Sequence, residues 1–114
     1  MKDLLRPDLV FRLTGRLWVE SAADRFMGIG RLELLGLIQQ HGSISRAAQG
    51  MGMSYKRAWD LVSSLNAQSA RPLVLTQTGR RHRVTAEGER LIAEFEALQA
   101  RFLAAEAAEA ERLF

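Results

Sequence analysis

Cysteine is absent from these 114 residues, which excludes a disulfide framework and thiolate metal sites and fits a reducing compartment, here expected to be the cytoplasm. Histidine occurs only at His41 and His82, far apart in sequence, so no ligand set for a metal and no histidine-centred catalytic group is in evidence. The longest stretch free of Asp, Glu, Lys and Arg, residues 34–45, is too short to span a bilayer. The first residues place Asp3 and Asp8 where an export signal would need an apolar core. Residues 28–33 begin Gly-x-Gly but carry Glu33 where a dinucleotide loop needs its third glycine. Membrane insertion, cofactor binding and catalysis are therefore not expected. Acid is scarce in one region: residues 43–85 hold seven bases against Asp60 alone (+6), whereas residues 1–42 sum to +1 and residues 86–114 to −4.

What that basic region contains is a pair of capped helix starts. Ser43 precedes Ile-Ser-Arg-Ala-Ala, Ser54 precedes Tyr-Lys-Arg-Ala-Trp, and Gly50 and Gly52 flank the turn between them. This is a helix-turn-helix over about residues 43–69. In the second helix Ala58, Leu61, Val62 and Leu65 share one face and are expected in the core, while Lys56, Arg57, Asp60, Ser63 and Ser64 face outward. Small Ala47 and Ala48, with Ile44, suit a close helix crossing. Trp59 is expected to be core.

Around this motif the chain supplies a frame. Leu17–Val19 and Arg25–Met27 form a hairpin (about residues 16–28) around a turn at 21–24, and Val10 to Leu13 alternates weakly as a further strand candidate. Leu32, Leu34, Leu35, Leu37 and Ile38 mark a core helix ended by Gly42. Residues 73–77 and 80–85 read as two strands of a wing whose loop is basic. Thr85 caps a last helix running nearly to Phe114, about 40 Å at about 1.5 Å per residue. The fold class is thus mainly α with small β-hairpins: a winged helix-turn-helix over residues 1–85 and a dimerisation helix over 86–114. Leu91, Phe95, Leu98 and Phe102 repeat at +4, +3, +4, a seam that wants a partner helix, although the first half of this helix also serves to close the core.

Early residues of the second helix of such a motif enter the major groove of DNA. Lys56 and Arg57 are the candidates for base contacts, because an arginine fork matches guanine N7 and O6 and lysine serves base or phosphate; Ser54 and Tyr55 support them. Ser43, Ser45 and Arg46, at a helix N-terminus, suit phosphates, with capping alone as the other role open to the serines. Arg80, Arg81, His82 and Arg83 suit phosphates or a narrow minor groove. Double-stranded DNA is the expected partner and a homodimer the expected state. Two other readings stay open: a protein-interaction adaptor on the same scaffold, and a DNA-binding architectural protein without sequence preference.

Gly-Ser-Ile-Ser-x-Ala-Ala at 42–48 and Met-Ser-Tyr-Lys-x-Ala-Trp at 53–59 resemble the N-terminal domain of the ModE family of molybdate-responsive transcription regulators. The wing and the turn after it, Gln-Thr-Gly-Arg-Arg-His-Arg-Val-Thr-Ala-Glu-Gly at 77–88, are similar to those of LysR-type regulators. The resemblances together cover about residues 28–95 and imply a sequence-specific, DNA-binding transcription regulator. The wing departs from the ModE pattern in being short and rich in arginine rather than glycine. Full-length ModE proteins also carry a C-terminal molybdate-binding region, and LysR-type proteins a large effector domain. Neither pattern follows in these residues, so molybdate binding is not expected and no cofactor is implied.

Overall fold

The computed structural model describes residues 1–114, which form four α-helices and two small hairpins. A hairpin of β1 (Val19–Glu20) and β2 (Arg25–Met27) leads into α1 (Ile29–His41), α2 (Ile44–Met51) and α3 (Tyr55–Gln68). A second hairpin, β3 (Val74–Thr76) and β4 (His82–Val84), is followed by α4 (Ala86–Leu113). Gly42 and Gly52 end α1 and α2 at φ 67° and 66°, the left-handed region where a side chain would be strained. Gly50 does not share that role: it lies inside α2, because the helix runs on to Met51. Ser43, Ser54 and Thr85 each accept a hydrogen bond from the backbone N–H three residues on, at 3.2, 3.0 and 3.1 Å.

The core is where the helical periodicity places it. Leu34, Leu35 and Ile38 of α1, Ile44, Ala47 and Ala48 of α2, and Ala58, Leu61, Val62 and Leu65 of α3 are buried together with Met27, Leu73, Val74, Val84 and Phe95. Arg31 lies on the buried face of α1 and is accommodated by bonds. Its guanidinium donates to the carbonyl of Arg25 at 2.6 Å and stands 3.6 Å from the Asp24 carboxylate. Ser64 also donates to Asp24 (2.8 Å) and Gln68 to the Arg25 carbonyl (3.0 Å), so the first hairpin is clamped onto the outer end of α3. The Ser64 bond, then the Arg25 backbone N–H and Arg31, hold the Asp24 carboxyl below its usual pKa.

Asn66 fixes the wing to α3: its amide donates to the Val74 carbonyl (3.0 Å) and its oxygen accepts from the N–H groups of Leu73 and Val74 (2.9 and 3.2 Å). The strands pair antiparallel with Val74 opposite Val84 and Thr76 opposite His82. Thr85 closes the base by donating to the Pro72 carbonyl at 2.8 Å. Here Gly88 is required by packing rather than by its φ. A Cβ at that position would lie 2.5 Å from the Leu73 carbonyl oxygen and 2.6 Å from a Val84 methyl. Gly88→Ala should therefore cost about 1–2 kcal/mol net, overpacking outweighing the roughly 1 kcal/mol gained in helix propensity. A lowered urea midpoint with unchanged slope is the expected reading.

The N-terminal residues depart from expectation. Val10 to Leu13 form no strand; after a single 3-10 turn at Lys2–Leu4, the segment is irregular and runs back along the far half of α4. Phe11 meets Phe114 with ring centroids 6.3 Å apart, and Leu13 to Gly15 share a cleft with Phe102, Ala105, Glu106 and Glu109. With no ladder partner, alternation alone makes no strand. No helix is long and apolar enough to cross a membrane.

Candidate nucleic-acid interface

The N-terminus of α2, the N-terminal turns of α3 and the wing carry the basic residues, and the wing stands across clefts from both helices. Ser45 and Arg46 on α2, Tyr55, Lys56 and Arg57 on α3, and Arg80, Arg81 and Arg83 in the wing are all exposed. Lys56 pairs with Asp60 one turn along the helix at 3.2 Å, and Arg71 with Glu87 at 3.5 Å. Arg46, Arg57, Arg80, Arg81 and Arg83 have no carboxylate partner. Their charge is available to an external anion.

The wing tip is a tight loop. Gln77 donates its N–H to the Arg81 carbonyl at 2.8 Å, and Gly79 takes φ 73° between them, turning Arg80 outward. A cleft of about 630 Å³ separates the wing from α3 and is lined by Ser45, Tyr55, Trp59, Thr76, Gly79, Arg80 and His82. A second, of about 470 Å³, has no apolar side chain in its lining and opens where Ser43 and Arg46 of α2 approach Gln77, Arg80 and Arg81. Arg80 borders both.

Ser43 and Ser54 are engaged as caps, so each hydroxyl has only its proton left to offer a phosphate. Three sequence expectations are corrected. His82 is not a surface contact: strand alternation turns it inward with Val84, leaving Arg81 and Arg83 outside. Its Nδ1 accepts from the Ile44 N–H (3.3 Å) and its backbone N–H donates to the Gly42 carbonyl (2.9 Å), so it bolts the wing to the start of α2. Trp59 is not core; it is 44% exposed and stacks on Tyr55 across the helix surface. Phe95 is not free for a partner: it is 3% exposed within the domain core, and Leu91 and Leu98 pack against that core beside it. Of the seam, only Phe102 lies beyond that core, 42% exposed beside the N-terminal segment. The alternation linking His82 to Val84 is a signal present in the sequence; nothing local marks Asn66 or Arg31 as fasteners.

Burial holds the His82 imidazole below the usual histidine pKa, only partly opposed by the Arg80 backbone. A depressed folded value means the unfolded chain binds the proton first. The contribution of His82 is therefore complete above the unfolded value of about 6.5 and is lost as pH falls through the folded value. Urea unfolding of the parent should weaken between pH 7.5 and 5 by more than that of His82→Asn, whose amide oxygen can take the place of Nδ1 but cannot titrate.

A family model described as bacterial regulatory helix-turn-helix protein, lysR family, matches residues 29–89, from the start of α1 into the first turn of α4. The chain belongs to this LysR-type family. Among curated relatives of this LysR-type chain, the molybdenum-pterin-binding protein MopA of Rhodobacter capsulatus is 41% identical over 91 residues, covering 76% of the chain and 34% of the relative. The molybdenum transport protein ModE of Azotobacter vinelandii is 32% identical over 106 residues, 90% of the chain and 39% of the relative. The DNA-binding transcriptional dual regulator ModE of Escherichia coli K12 is 41% identical over 66 residues, 54% of the chain and 25% of the relative. The chain thus spans well under half the length of these relatives. A crystal structure of a LysR family transcriptional regulator aligns with a TM-score of 0.55 at 18% identity, over 67% of the chain and 26% of that protein, which supports the fold.

Proposed function

We propose that this LysR-type chain is the DNA-reading module of a transcription regulator, that it recognises a specific sequence, and that it does so as a homodimer. The observation that carries the proposal is the set of five exposed arginines without carboxylate partners on α2, α3 and the wing, with Asp60 the only acid in residues 43–85. Fixed positive charge of this kind is what a phosphate backbone rewards.

In this reading α3 enters the major groove. Arg57 pairs with a base edge, and Lys56 leaves Asp60 for a base or phosphate, an exchange that costs little because exposed ion pairs contribute little. Ser45 and Arg46, with the hydroxyl protons of Ser43 and Ser54, hold phosphates. Arg80, Arg81 and Arg83 follow the backbone or the adjacent minor groove. The second copy docks on the far half of α4, where Phe102 and Leu103 are 42% and 51% exposed. Paired modules place their recognition helices about 34 Å apart on a near-palindromic site.

Selection of preferred sites from a random duplex library tests this directly, and a flat base profile would overturn it. On the selected site, Arg57→Ala should cost about 1–3 kcal/mol and relax preference at one base position. An unchanged profile for that variant would remove Arg57 from base reading.

A further inference from the structure

Charge accounts for most of this face but not for its two aromatic side chains. Tyr55 and Trp59 are 50% and 44% exposed, their ring centroids are 6.5 Å apart, and their planes are within 20° of parallel. Together they make an apolar panel beside Lys56 and across a cleft from Arg80. Leaving such surface in water forgoes the burial each ring would gain in the core, and the same side of the helix accepts Lys56, Asp60 and Ser63 without difficulty. At about 100° per residue the two rings lie about 40° apart around α3, on one flank of its outward face. That flank borders the cleft to the wing, with Arg80 in the opposite wall.

We infer that the Tyr55–Trp59 panel reads thymine by packing on its C5-methyl group, an inference that rests on the DNA-binding reading above. The thymine methyl is the apolar group that the major-groove edges of the unmodified bases display. It projects beside the backbone of its own strand, and a strand lying along this cleft brings its phosphates to Arg80 and its methyl groups to the rings. Four residues of helix advance about 6 Å, and bases on one strand are about 3.4 Å apart, so the panel reaches across about two base steps. The preferred site therefore carries thymine at one or two neighbouring positions of each half.

The experiment is a methyl scan of the selected duplex, with deoxyuridine replacing each thymidine in turn and the full chain titrated at fixed salt. Removing the methyl should weaken binding about fourfold at those one or two positions, which is the roughly 0.8 kcal/mol of one buried methyl group converted at about 1.4 kcal/mol per tenfold. The penalty should disappear in Trp59→Ala or Tyr55→Ala. At the same position, 5-methylcytosine paired with guanine should bind tighter than cytosine by a similar factor. Specific binding that is indifferent to uridine everywhere overturns the inference and leaves the DNA-binding reading standing. A uridine penalty that persists undiminished in both variants also overturns it, because another side chain then holds the methyl. Absence of any preferred duplex removes the underlying reading itself. Indifference to uridine in the unaltered protein overturns the inference even where a variant folds poorly, and either variant that folds suffices to test the assignment to the rings.

Discussion

Replacing Phe102 by glutamate should leave each subunit folded and convert the proposed pair to monomers, with affinity for a two-half-site duplex falling about 10²- to 10⁴-fold. The side chain lies one turn beyond Leu98, the last residue of α4 that packs on the domain core, so that core does not depend on it. The far half of the helix extends the molecule to 62 Å against 28 and 25 Å in the other directions, and the N-terminal segment covers it only in part. Two aromatic or aliphatic side chains there, Phe102 and Leu103, remain 42% and 51% exposed beside that segment. A carboxylate at Phe102 must be desolvated for two such helices to meet, and in a symmetric pair it is desolvated twice. Once the pair is broken, the second half-site is no longer presented at the high effective concentration that linkage provides. Sedimentation mass and titration of full and half sites measure the two consequences separately. A variant that stays dimeric at full affinity would place the subunit contact elsewhere.

How far the sequence alone reveals this fold follows the range of the interactions involved. Capping is settled within four residues, and Ser43, Ser54 and Thr85 are each legible as caps for that reason. The buried faces of α1, α2 and α3 are equally legible, since 3.6-residue periodicity is a property of the segment itself. Trp59 misleads because its apolar character points to the core while its angular position does not: it sits on the flank of α3, away from the line of Ala58, Leu61, Val62 and Leu65. Phe95 misleads because a heptad seam and a core stripe look alike until the neighbours are known. Val74 and Val84 of the wing join it in one cluster, and only the tertiary arrangement brings them there. The path of residues 1–16 along α4 is set by pairings such as Phe11 with Phe114, far apart in the chain, and no local pattern announces it.

Exchange of Arg80 and Arg81 for glutamine should weaken binding to all duplexes alike, in contrast to the single-position effect expected of Arg57→Ala. Neither arginine has a carboxylate partner, and both are exposed at the wing tip, so their removal strands no buried group and leaves stability near the parent's. Each phosphate left without its arginine flattens the dependence of log affinity on log salt by about 0.9. For the two arginines of both subunits in the proposed pair that is about 3.6, or on the order of a thousandfold at about 0.1 M salt. The wing can deliver that effect only if it is held rigidly against α2. The Gly42–His82 and Ile44–His82 bonds provide this, fixing Arg80 and Arg81 beside Arg46 at the polar cleft. Titrations across a salt series on the selected and a scrambled duplex read both slope and selectivity. A parental slope in the double variant would take the wing out of the interface, while a changed base preference with the slope intact would make these arginines readers rather than anchors.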